Sequence, residues 1–285
     1  MTKIARKFPD GRVRGLTLNH KLLDLLKGFK NAVENHSTSV VLVIDGRSGL
    51  GKSTLSNQVG LYLDKNFGID NIYYEPEEFL EGLAHAKPLS YICFDEAMLL
   101  SSRSAMSQIN KMVVLAMSMI RSKQLYVCFC VNSIFDLDKN LAISRADVLL
   151  HVYGQTLIDR GNFCAFFKGR DGWDRLKDLY LNGKRYYNYN KPKSNFLGSF
   201  TKEFVVDEKI YEERKQVGVN KFLLGAKSEV TRATKQRNKL MRYLHFGLGW
   251  KVEKLMKFIT ISRTTTYVIL DKRLYDKENV PNSQS

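Results

Sequence analysis

The sequence contains no run of the roughly 18 apolar residues that a membrane-spanning helix needs. Its first fifteen residues, MTKIARKFPDGRVRG, carry no apolar core of the kind an export signal has. These two absences predict a soluble, intracellular chain and weigh against a secreted or membrane-anchored one. Cysteine is scarce as well. Cys93, Cys128, Cys130 and Cys164 are the four in the chain, and no CxxC pair occurs. They read as small core residues in a reducing compartment, not as disulfides or zinc ligands. No internal repeat is visible. Acidic residues are in short supply, 29 against 45 lysines and arginines, a formal net charge of +16. That imbalance favours a polyanionic partner, nucleic acid first and an anionic membrane surface second.

What is present is ample for a core. Hydrophobic residues make up 44% of 285, and the length predicts one large domain with a small second one. Residues 1–38 combine a basic start with one helical stretch, NHKLLDLLKGFKNAVEN, whose leucines fall at helical spacing. They are read as an N-terminal helical extension. From residue 39 strands and helices alternate. Strands are expected at Val40–Ile44, Asn71–Glu75, Leu89–Ala97, Gln124–Ser133 and Asp147–Gly154, with helices between them. GNFCAFFKG is expected to pair with the last of these as an antiparallel edge. The pattern predicts an α/β domain over 39–190, its sheet mostly parallel with helices on both faces. Residues 191–219 read as linker or peripheral structure, 220–273 as a small basic helical domain, and 274–285 as a flexible tail.

The most specific motif is Gly46-Arg47-Ser48-Gly49-Leu50-Gly51-Lys52-Ser53, followed by Thr54. It fits GxxxxGK[ST] in full, with a strand before it and a helix after it. Such a loop turns backbone N–H groups inward onto phosphate oxygens, and the helix N-terminus adds positive potential. Lys52 is expected to reach the β- and γ-phosphates of ATP, and Ser53 to ligate Mg²⁺.

A second acidic site follows in YICFDEA, where Asp95 and Glu96 end an apolar strand. Ligands of open α/β sheets collect at the carboxyl ends of strands, which places this pair beside the loop. Asp95 is the expected partner of Mg²⁺, and Glu96 the general base that polarises the attacking water. The next strand ends in Asn132, a candidate sensor of the γ-phosphate.

The loop, the FDEA strand with its glutamate, and Asn132 together resemble the additional-strand, catalytic-glutamate P-loop ATPases. The stretch from Asp95 to Gly154 is similar to the FtsK/HerA side of that group, and to Zot-like and viral genome-packaging ATPases. The resemblance implies a RecA-like P-loop fold for 39–190 and a homo-oligomeric ring, a hexamer or pentamer, in the cytoplasm of a cell or of a virus's host. Zot-like proteins commonly carry a membrane anchor, and none is visible here. Ring ATPases of this group supply an arginine from the neighbouring subunit to the γ-phosphate. Arg145, just before a strand, is the favoured candidate, ahead of Arg103, Arg121 and Arg160.

The C-terminal unit carries the charge. From Lys221 to Arg273 there are thirteen lysines and arginines against Glu229, Glu253 and Asp271. Three short helices are expected, lined by Leu240, Tyr243 and Leu244, then Val252, Leu255 and Met256, then Tyr267, Val268 and Leu270. Ser262 would cap the third. This is a helix-turn-helix rhythm, in which the last helix enters the major groove. Arg263, Thr264, Thr265 and Thr266, with Lys254 and Lys257, are the expected contacts to double-stranded DNA. The sequence as a whole reads as an ATP-hydrolysing DNA motor that packages or translocates viral or mobile-element DNA. The alternatives are a transposition-type or helicase-loader-like AAA+ ATPase and a nucleotide-switched DNA-binding regulator.

Overall fold

The computed structural model describes residues 1–95, 108–154, 156, 160–259, 266–267 and 269–270. The chain divides into two compact units, Met1–Gly218 and Val219–Ser285.

The first unit is a three-layer α/β domain. Its strands are β1 (Thr2–Lys7), β2 (Val13–Leu18), β3 (Val40–Asp45), β4 (Ile72–Tyr73), β5 (Tyr91–Phe94), β6 (Tyr126–Val131), β7 (Val148–Tyr153), β8 (Asn162–Phe167) and β9 (Phe196–Ser199). The main sheet runs β4-β5-β6-β3-β7-β8-β9. β4 to β7 are parallel, while β8 and β9 are antiparallel additions. β3 is central and buried along its whole length, as an unbroken apolar run predicts for a strand covered on both faces. β6 lies between β3 and β5, so the glycine-rich loop and the acidic strand are separated by one intervening strand.

Helices cover both faces. On one side α1 (His20–His36) and α2 (Lys52–Leu63) bury Leu22, Leu26, Leu55 and Val59 against the sheet. α1 is capped by Asn19, whose side chain accepts from the amides of Lys21 and Leu22. On the other side α3 (Pro76–His85), α4 (Gln108–Met119) and α5 (Arg175–Gly183) bury Phe79, Val113 and Leu179. Pro76 opens α3, where its missing N–H is one the helix could not use. In the layer of α2, the Gln58 side chain is buried and donates from Nε2 to the Thr201 carbonyl at 2.9 Å, Thr201 Oγ1 at 3.0 Å and the Glu203 carbonyl at 2.8 Å.

The structure differs from the sequence reading in the extent of several elements. Residues 2–18, taken as part of a helical extension, form the β1–β2 hairpin, in register from Thr2↔Leu18 to Lys7↔Val13. Alternate burial holds it, with Leu16 and Leu18 inside, but Arg6 at an inward position and the exposed Val13 break the period-2 signal. β8 is no edge, because β9 pairs outside it. Residues 191–219, taken as linker, supply β9 and bury Phe200, Val205, Val206 and Tyr211 in the core. The first of the three short helices expected in 220–273 is instead the end of α6, which runs from Glu208 to Arg242.

In the second unit a turn of π-helix, Tyr243–Gly247, leads to α7 (Val252–Ile259). Among the unit's described residues Met241, Leu244, Leu255, Thr266 and Ile269 are buried, beside Arg242. Leu244 and Leu255 point inward as expected, whereas Leu240, Tyr243 and Tyr267, expected to do the same, are 48%, 53% and 56% exposed. Met241 takes the inward place at i, i+3 from Leu244, and Thr266 that at i, i+3 from Ile269. Arg242 is buried and donates to the Ile269 carbonyl at 3.2 Å. Ser262 and Val268 lie outside the described residues. No helix among the described residues is long and apolar enough to cross a membrane.

Candidate functional site

β3 delivers the glycine-rich loop at the carboxyl edge of the sheet, and α2 begins at Lys52. Gly46, Gly49 and Gly51 have φ of +138°, +84° and +102°, which side-chain-bearing residues adopt only under strain. Gly46 is also constrained by space, since a Cβ there would sit 2.2 Å from the Val152 carbonyl oxygen. Arg47, Ser48 and Gly49 are exposed at the tip, while Leu50 is buried and anchors the loop. Lys52 Nζ donates to the Gly46 carbonyl at 2.8 Å and to Asn132 Oδ1 at 3.1 Å. The Gly46 amide donates to the Asn132 carbonyl at 3.2 Å. Asn132, at the end of β6, therefore touches both ends of the loop.

Asp95 follows β5 and is buried. Its carboxylate accepts hydrogen bonds from the Tyr211 hydroxyl and from Ser53, the first-turn serine of α2. Burial pushes the Asp95 carboxyl up to about 6, with the buried Cys130 thiol adding to the rise, while Lys215, Tyr211 and Ser53 oppose it. The same burial and the Asp95 charge hold the Tyr211 phenol far above its ordinary range. Ser53 and Asp95 thus form a paired oxygen donor set beside Lys52, of the hard-ligand kind that suits Mg²⁺. Glu96 and Arg103 lie outside the described residues.

Another buried carboxylate belongs to Asp45, the last residue of β3. Oδ1 accepts from His151 Nδ1 at 2.7 Å, and Oδ2 accepts from the Ile134 amide at 2.7 Å and from the Tyr189 hydroxyl. A carboxylate only accepts, so the proton sits on Nδ1 of His151. The His151 ring stacks on Tyr189 with centroids 3.6 Å apart. Beneath the loop helix, Cys93, Cys128 and Cys130 bring their sulfurs within 4.8 Å of one another. Ser56 Oγ lies 3.2 Å from Cys93 Sγ and 2.9 Å from the Tyr91 hydroxyl.

Two cavities flank the loop. One, of about 510 Å³, is bounded by Gly51, Thr54, Arg160, Phe200 and Lys202. The other, of about 520 Å³, is bounded by Arg47, Asn132, His151, Tyr153 and Tyr187. No motif marks Tyr211, 116 residues from Asp95, or the Asp45–His151–Tyr189 cluster.

The arginine candidates separate by position. Arg145 ends a π-helical turn at the amino end of β7, on the sheet edge opposite the loop, and its guanidinium donates to Ser118 Oγ at 3.0 Å. Arg121 is exposed in the turn after α4. Arg160 borders the first cavity. In the second unit Lys254 is exposed and lies over the Trp250 ring at 3.8 Å, and Lys257 lies within α7. Arg263, Thr264 and Thr265 lie outside the described residues. Thr266 is fully buried, so it is withdrawn as a DNA contact: its helical face is turned into the core beside Ile269.

No protein-family model matches the chain, and no curated protein does. Among solved structures it is similar to the N-terminal domain of zonular occludens toxin from Neisseria meningitidis, at 16% identity and TM-score 0.37, over 61% of this chain and 98% of that one. It is similar to the FIGL-1 AAA domain in complex with ADP, at 17% identity and TM-score 0.33, over 46% of this chain and 52% of that one. It is also similar to AMPPCP-bound DnaA from Aquifex aeolicus, at 12% identity and TM-score 0.32, over 92% and 90%. The chain thus spans about half the length of the FIGL-1 structure. Likeness at these scores carries no argument of its own. The weight rests on the loop, the sheet order and the side-chain geometry.

Proposed function

We propose that this chain is an ATP-hydrolysing P-loop motor that acts on double-stranded DNA. The observation that carries the reading is the convergence of Lys52, Asn132, Ser53 and Asp95 at adjoining strand ends. The interposed β6 supports assignment to the additional-strand group, because it carries Asn132 to the loop. On this reading the backbone of Gly46–Thr54 and the Lys52 ammonium hold the phosphates, and Asn132 orients Lys52. Ser53 and Asp95 would hold Mg²⁺, which when bound neutralises phosphate charge. Asp95 must shed its proton to serve, and Tyr211, Ser53 and Lys215 all favour the ionised form. Glu96 is the base for water. The cavity at Thr54 and Phe200 takes the nucleoside, since Lys52 and Asn132 mark the opposite, γ-phosphate end.

Arg145 faces away from its own loop, which suits a residue offered to a neighbour in a ring of five or six subunits. The basic second unit grips duplex DNA through Lys254, Lys257, Arg263, Thr264 and Thr265. Packaging or translocation of a viral or mobile-element genome is the role this assembly fits. The test is ATP turnover with and without duplex DNA, at low and moderate salt, beside Glu96→Gln. Turnover that rises with DNA and vanishes in the variant, with ATP binding kept, is the expected result. Turnover indifferent to DNA would favour a nucleotide-switched regulator.

A further inference from the structure

The second cavity is not accounted for by ATP. It lies at the γ-phosphate end of the loop, and its walls are aromatic: His151 and Tyr153 from β7, Tyr187 and Tyr189 from the segment after α5. Three of these rings are almost parallel. Tyr189 and His151 are a closed stack, centroids 3.6 Å apart and planes 14° apart. His151 and Tyr153 are 15° from parallel but 6.4 Å apart, just under twice the closed-stack spacing. That is the repeat of alternate side chains along one strand, and it sets the two ring faces side by side on a cavity of about 520 Å³. Tyr153 is 36% exposed. His151 is held in place by Asp45 and Tyr189.

The surroundings name the ring's chemistry. From Leu179 to Lys202 the chain carries Lys184, Arg185, Lys191, Lys193 and Lys202 and not one carboxylate. Arg47 adds a cation at the cavity. Tyr186, 72% exposed with Arg185 5.1 Å over its ring, offers another aromatic surface a short way off. Aromatic platforms set in a cationic track are how proteins hold single-stranded nucleic acid, whose unpaired bases can leave the stack. We infer that the cavity faced by His151 and Tyr153 is a slot for an unpaired nucleobase of a single strand, whose backbone follows the basic segment 184–193. Asn132 borders the same cavity and hydrogen-bonds Lys52, so the occupied slot adjoins the phosphate-binding lysine directly. The binding itself does not depend on the hydrolase reading.

The experiment uses the full chain and a fifteen-nucleotide oligothymidylate with one central 2-aminopurine. Stacking in the slot quenches the 2-aminopurine fluorescence, and binding weakens with salt. Tyr153→Leu should abolish the quench at saturation and weaken single-strand binding about tenfold, with duplex binding and circular dichroism unchanged. Tyr153→Phe, which keeps the ring, should behave as the parent chain. Photo-crosslinking of the parent chain to an oligonucleotide carrying 5-iodouracil needs no variant. Crosslinks in peptides covering 147–154 or 184–193 support the slot, and crosslinks confined to 219–285 overturn it. An unchanged quench in Tyr153→Leu overturns it too. So does a Tyr153→Leu chain that loses affinity for a fluorescent ATP analogue but not for the oligonucleotide, which would make the slot the base site of ATP itself.

Discussion

Tyr211 gives its phenolic hydrogen to the carboxylate of Asp95, joining the start of α6 to the end of β5 across 116 residues of sequence. A buried aspartate at a proposed metal position is thereby held by a side chain that no nucleotide-binding motif contains. Tyr211→Phe should leave the fold intact and lower stability by about 1–3 kcal/mol, the range for a buried hydrogen bond to a charged group. It should raise the Mg²⁺ concentration needed for half-maximal turnover. Magnesium titrations of turnover beside thermal melts would check both, and an unchanged magnesium requirement would show that Tyr211 only packs.

Asp95→Asn should stabilise the protein in the absence of nucleotide at high pH. The Asp95 carboxyl lies at about 6 in the folded chain against an ordinary value of 3.8, so the folded state holds this proton more tightly than the unfolded one. The advantage is complete below the ordinary value and is lost as pH rises through 6. Above that, the buried charge lowers stability by about 3 kcal/mol. The variant should therefore melt higher than the parent near about pH 8 and close to it near about pH 4. A gain of equal size at both pH values would refute the account. Magnesium-dependent turnover should be lost.

Gly46→Ala should be among the most damaging single substitutions in the loop. The new methyl would meet the Val152 carbonyl oxygen at 2.2 Å, at a φ of +138°. A loss of more than about 2 kcal/mol is expected, from strain and overpacking together. Gly11→Ala is the control: φ is +81° but the space around it is open, so about 1 kcal/mol is expected. Chemical denaturation of the two variants compares them directly.

The four cysteines should resist alkylation in the native chain at neutral pH. All are buried. Burial pushes the Cys164 thiol up to about 12, and hydrogen bonding with Cys128, together with burial, keeps Cys93 protonated. Iodoacetamide followed by intact-mass measurement should find no adducts before denaturation and four after it. Prompt labelling of Cys93 or Cys130 would mean that the sheet opens beneath α2.

In the second unit, Lys254→Ala should weaken duplex binding without loss of stability, because the side chain is exposed on Trp250. The salt dependence of log K should fall by about one ion. Thr266→Arg should instead unfold the unit, since Thr266 is fully buried. A Thr266→Arg chain that melts normally and binds DNA more tightly would restore the residue to the DNA surface.

The parallel half of the sheet was legible because its strands are unbroken apolar runs. Val40–Asp45 and Tyr126–Val131 could be little else, and GxxxxGKS tied the first of them to a helix start. Asn132 was legible only as a polar residue at a strand end, a candidate γ-phosphate sensor; its hydrogen bond with Lys52 follows because strand ends in such sheets share one edge. The hairpin at 2–18 escaped because a basic residue at an inward position, Arg6, and an apolar one on the outside, Val13, break up its alternation, and β9 because four residues including a glycine carry little pattern. Tyr211, Asp45 and His151 escaped for a different reason. Their roles rest on contacts between segments over a hundred residues apart, which no local periodicity records.

One amide group, that of Gln58, serves three acceptors on the stretch that follows β9. Mechanically, this rivets α2 to the stretch around Thr201 and Glu203. Lys202 lies between the two riveted residues and lines the cavity at Phe200, so the helix that begins at Lys52 and one wall of that cavity share a single side-chain anchor.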